Sequence, residues 1–146
     1  MVNIKIVPTS IDLATFSAMD TQVSEGVKIK VEHRFLEEYS QPDAAHFVFS
    51  YTITIENQNP FEVQLLRRHW IIKDSAAGTS EVEGDGVVGQ QPALKHGESY
   101  TYESGCHLKG EMGSMHGSYL FTRVHDGSLF KVYIPEFKLT APWVLN

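Results

Sequence analysis

The sequence predicts an all-β fold, an immunoglobulin- or fibronectin type III-like β-sandwich of about seven antiparallel strands. Three observations carry this expectation. Apolar residues recur with a period of two along most of the chain; Gly, Pro, Asn and Asp clusters separate the alternating runs; and only "IDLATFSAMD" shows modest helical character. A strand turns successive side chains to opposite faces, so alternation marks strands with one buried face.

The first run is "VKIKVEHRF", with Val27, Ile29, Val31 and Phe35 against Lys28, Lys30, Glu32 and Arg34. "HFVFSYTITIE" repeats the pattern, with Phe47, Phe49, Tyr51, Ile53 and Ile55 on one face. "NQNP", ending in Pro60, reads as the hairpin connection to "VQLLRRHWIIK". "DSAAG" is a further turn, with the short candidate strand "SEVEG" after it. "ESYTYE", "GSYLFTRV" and "LFKVYIPEFKL" complete the set, with Asp126-Gly127 placed to turn the last hairpin. In the final run the phase changes after Pro135, which marks an edge or a bulge because proline has no ladder donor. Residues 1–23 are the least patterned. The 146 residues are expected to form a single domain with its core over about 25–140.

Composition narrows the functional classes. With 42% hydrophobic and 21% charged residues, the chain has the balance of a folded globular protein. Its formal net charge of -6 repels phosphate backbones, so no nucleic acid is expected as a partner. No apolar run is long enough for membrane insertion, the N-terminus does not read as a secretory signal, and Cys106 stands alone; the expected location is cytoplasmic.

Four segments, "RRHWIIKD", "EVEGDGVVGQQPALKHGESYTYESGC", "GSMHGSY" and "IPEFKL", together resemble the ApaG family over about residues 25–140. The resemblance implies a fibronectin type III-like sandwich and a biochemical role that is unsettled. It links bacterial members by genetics to cobalt resistance and magnesium efflux, and similar domains in larger eukaryotic proteins to protein contacts. The chain departs from the family where a proline usually comes after the Ser-Gly-Cys segment: His107 stands there, and "LKGEMGS" continues without proline.

Gly84, Gly86 and Gly89 form a G-x-G-x-x-G spacing, a candidate for phosphate binding. A dinucleotide site needs a buried parallel strand before the glycines and a helix after them. Here "TSEVE" is polar, Pro92 and Gly97 interrupt the downstream segment, and Asp85 would face the phosphate. Turns that only glycine tolerates, carrying Val87 and Val88 into packed positions, explain the spacing better; a helix-free anion nest is the surviving alternative. Arg67 and Arg68 are candidates for partner binding. Alternation puts Arg68 with Trp70 on one face and Arg67 with His69 on the other, and Trp70 is expected in the core.

Cys106, His107, Met112, Met115 and His116 offer soft donors, but adjacent strand residues point apart and zinc-type spacing is absent, so no metal site and no cofactor are expected. No G-x-S-x-G or H-E-x-x-H occurs, Glu81, Glu83 and Asp85 read as an exposed polar run, and no active site is expected. The expected function is a non-enzymatic interaction module with a protein partner, binding through a sheet face or strand edge; a homodimer through strand edges is one form of this. The alternative is a small-ligand binder for a divalent cation or a pyrophosphate/nucleotide through the Gly84–Gly89 loop.

Overall fold

The period-two runs become strands of two facing antiparallel sheets. A computed structural model describes residues 18–145. In chain order the strands are β1 (Ala18–Ser24), β2 (Val27–Phe35), β3 (Phe47–Asn57), β4 (Val63–Asp74), β5 (Gly78–Asp85), β6 (Ala93–Leu94), β7 (Ser99–Leu108), β8 (Met112–Arg123) and β9 (Leu129–Thr140). One sheet runs β1-β2-β3-β7 and the other β5-β4-β8-β9, with β6 beside one end of β4. All seven expected strands are present.

Two strands carry no legible pattern. β1 lacks apolar alternation, and both Met19 and Val23 are exposed. It forms because β2 offers an edge, and Glu25 and Gly26, both at positive φ, close a two-residue hairpin between Ser24 and Val27. The expected helical character of residues 11–20 falls mostly outside the described residues, and its last three, Ala18–Asp20, are strand. β6 has only two residues, too few for any periodicity. β7 and β8 are also longer than the expected "ESYTYE" and "GSYLFTRV", extending over Cys106 and His107 and over the "MGSMHG" run.

Two irregularities set which side chains face inward. In β4 the register against β8 shifts between Leu65 and Arg67. The extra residue resets the alternation, so Leu65 faces inward, and so do Arg68, Trp70 and Ile72. Between β8 and β9 the partner of Met115 is Phe137 but that of Gly117 is Ile134. Pro135 and Glu136 therefore lie in a bulge opposite His116, as the proline required.

The inward residues of both sheets make one buried cluster, with Trp70, Tyr51, Tyr119, Phe49, Phe121 and Phe137 its largest fully buried members. The Trp70 ring lies 5.5 Å from that of Tyr51 and meets Phe137 edge-on at 6.0 Å. Burying each such ring is worth roughly 1.5–3 kcal/mol. Asn57, fully buried at the end of β3, is satisfied: its amide donates to the Phe61 and Leu94 carbonyls, both at 2.9 Å, and its oxygen accepts from the Asn59 N–H.

Candidate functional site

Strands β4 and β5, and the loop that leaves β5, collect most of the charged and glycine residues singled out by the sequence. The turn Ser75–Ala77 joins the two strands so that Arg67 pairs with Asp85, Arg68 with Gly84, His69 with Glu83 and Trp70 with Val82. Trp70 points into the core, as expected.

The glycine pattern has a separate cause at each position. Gly86 lies at φ +63, and a Cβ there would sit 2.3 Å from the Gln90 carbonyl oxygen. Val88 and Gly89 both have positive φ, and Val87 and Gln90 exchange backbone hydrogen bonds of 2.8 and 2.9 Å across them. That is the geometry of a two-residue type I′ turn. At Gly84 the backbone is ordinary, but a Cβ would approach the Arg68 guanidinium to 2.9 Å. Val87 is buried as expected, whereas Val88, expected to pack, stands at the loop tip with 44% of its surface exposed.

Arg68 explains why the loop is shaped this way. Its guanidinium donates to the carbonyl oxygens of Asp85, at 2.9 Å, and Gly86, at 3.0 Å. Beneath it, the Tyr102 and Tyr119 hydroxyls hydrogen-bond to each other. Burial raises the pKa of both phenols, and the charge of Arg68 acts in the opposite direction. The loop thus turns two carbonyls toward a cation. Its amides at Gly86, Val87 and Gln90 donate to the Leu66, Gln90 and Val87 carbonyls. A phosphate nest needs such amides convergent and free.

On the outer face Arg67 pairs with Asp85 at 2.5 Å. Beside them His69 lies between two carboxylates, with its Nε2 3.1 Å from Glu81 Oε2 and 3.6 Å from Glu83 Oε1. Along the chain His69 follows two arginines; across the strands its neighbours are acids. The sequence does carry a signal for this. A three-residue turn between Asp74 and Gly78 makes each paired β4 and β5 position sum to the same number, which puts His69 opposite Glu83.

The soft-donor group disperses. Cys106 and Met115 are buried in the core, while His107 points outward and lies against His46, their ring centroids 3.8 Å apart. Burial, then the neighbouring His46, holds the His107 pKa below its ordinary value. Burial pushes the Cys106 thiol up to about 12, which leaves it a poor nucleophile.

These features define a class: a two-sheet β-protein with an open, acid-lined edge strand and a glycine-shaped loop clamped by an arginine. The chain belongs to the ApaG family, whose domain matches residues 37–123. It is 46% identical over 129 residues to Protein ApaG of Acidithiobacillus ferrooxidans, covering 88% of this chain and all of that protein. With Protein ApaG of Pseudomonas aeruginosa the identity is 46% over 127 residues, covering 87% and 98%. The crystal structure of an ApaA protein from Bordetella pertussis superposes with a TM-score of 0.76 at 41% identity, over 80% of this chain and 94% of that one.

Proposed function

We propose that this protein is a non-catalytic interaction module whose β5 edge pairs with an extended, basic segment of a protein partner. The observation that carries the reading is the open side of β5, which among the described residues pairs with β4 alone. Because the Gly86 amide donates to Leu66, hydrogen-bonded pairs recur at every second residue along the two strands. Thr79, Glu81, Glu83 and Asp85 therefore direct their backbone groups away from β4. Arg68 occupies the Asp85 carbonyl, so the open stretch runs over Thr79–Glu83.

Charge selects the partner. Glu81 and Glu83 flank the open groups and are well exposed. A β5-to-β5 homodimer would bring these acids against their own copies, whereas alternating lysines or arginines would complement them. Val88 adds an apolar contact at the end of the edge. A β-branched residue at its φ of +48 works against local preference, the kind of strain that accompanies binding sites. The non-catalytic part rests on Cys106, which is buried and turned away from His107.

The test uses a peptide of alternating lysine and valine, with amide NMR and hydrogen exchange as the readouts. Added protection should appear at Thr79, Glu81 and Glu83. Glu83→Pro should abolish it, because that residue's N–H points to the open side and contributes nothing to the β4 ladder. Val88→Asn should stabilise the fold by about 1 kcal/mol, through an Asn-Gly type I′ turn, while weakening binding. Undiminished binding by Glu83→Pro, or protection centred on the other sheet, would refute the proposal.

A further inference from the structure

The geometry points to a divalent metal site formed by His69, Glu81 and Glu83 on the outer face of β4 and β5. The imidazole separates this triad from an ordinary acidic surface. Its Nε2 is directed between the two carboxylates, 3.1 Å from one oxygen and 3.6 Å from another, and the three donor atoms all lie within 4.8 Å of one another. Donors bound side by side to one ion at about 2.1 Å are separated by about 3.0 Å in an octahedron and about 3.4 Å in a tetrahedron. The two observed separations from Nε2 fall near these polyhedron edges, so an ion fits with small side-chain rotations.

The backbone holds the donors in place. His69 and Glu83 are directly opposite each other, in a pair whose backbone groups point away from one another, and such pairs bring side chains closest. Glu81 lies two residues along the same face. β4 is held on both sides, by β5 and β8. The neighbouring Asp85 is engaged by Arg67, so that guanidinium is paired with a carboxylate outside the triad.

Donor chemistry selects the ion. One imidazole and two carboxylates suit a borderline divalent ion such as zinc, with the two negative charges balancing the ion. Magnesium gains little from an imidazole nitrogen and prefers oxygen ligands and water. Three protein ligands leave further positions to water, the open arrangement of a site that can also accept a donor from a partner. The metal site does not depend on the proposed peptide partner, because it is measured on the isolated protein.

Isothermal titration with zinc at neutral pH should show one site per chain, and magnesium should bind at least tenfold more weakly. His69→Gln and Glu83→Gln should each weaken zinc at least tenfold. In the unsubstituted protein, zinc should shift the His69 imidazole nitrogens and the amides of residues 81–83. Equal binding of magnesium and zinc, zinc shifts mapped to the His46–His107 pair, unchanged affinity in folded variants, or no saturation at millimolar zinc would each overturn the inference.

Discussion

Replacing Gly86 with alanine should destabilise the fold far more than the same change at Gly89, although both glycines have positive φ. At Gly89, φ is +76 and a new Cβ would meet no heavy atom within 4 Å. The cost there is conformational alone, about 1–2 kcal/mol for an L-residue in the left-handed region. It is partly offset by about 0.4–1 kcal/mol from the stiffer unfolded chain. Gly89→Ala should therefore cost about 1 kcal/mol. Gly86→Ala carries the same conformational cost and a Cβ 2.3 Å from the Gln90 carbonyl oxygen and 3.0 Å from its carbon. Those atoms are backbone, so the Val87–Gln90 turn must move, at the expense of two hydrogen bonds worth about 1 kcal/mol each. The total is about 3 kcal/mol, or roughly 6–12 °C in Tm for a chain of this size. Urea unfolding with unchanged m-values is the assay. A cost at Gly89 equal to or above that at Gly86 would refute the claim that backbone crowding, rather than the spacing as such, demands glycine.

Asp74 holds the β4–β5 turn to the β7–β8 turn, accepting from the Ala76 N–H and, across the turns, from Lys109 and Gly110. Partial burial pushes its carboxyl pKa up, but these bonds, with another from Ala77, outweigh it and hold the pKa below 3.8. Its stabilisation is thus present above that value and lost as pH falls through the lower folded pKa; Asp74→Asn should lower stability at neutral pH and flatten its loss below about pH 4 in acid denaturation. For the buried phenol pair, Tyr102→Phe should cost about 1–3 kcal/mol because the Tyr119 hydroxyl loses its partner, and the double Phe variant should cost less than the sum of the two single changes. Strict additivity in equilibrium unfolding would show that the two hydroxyls are not coupled.

Periodicity alone is enough to place β2, β3, β4 and β9, because each alternates over many residues and a half-buried strand must alternate. It also puts Cys106 and His107 on opposite faces, since neighbouring strand residues point apart. Trp70 is expected inside as a large aromatic, but strict alternation from Val63 and Leu65 would turn it outward, and the extra residue after Leu65 turns it in. Pro135 announces its bulge because no ladder can use it. β1 carries no such signal: it is stabilised by the edge of β2, and an edge with few buried side chains need not be written in apolar residues. The glycine spacing is visible in the sequence, but its causes are not. Gly84 answers to the Arg68 guanidinium and Gly86 to a carbonyl four residues later, contacts set by how β4 pairs with β5 and how the loop returns. The same pairing brings His69 between Glu81 and Glu83, twelve or more residues away along the chain. Local pattern determines which way a side chain faces; which side chains meet depends on register between strands, and register is settled only when both sheets close on their shared core.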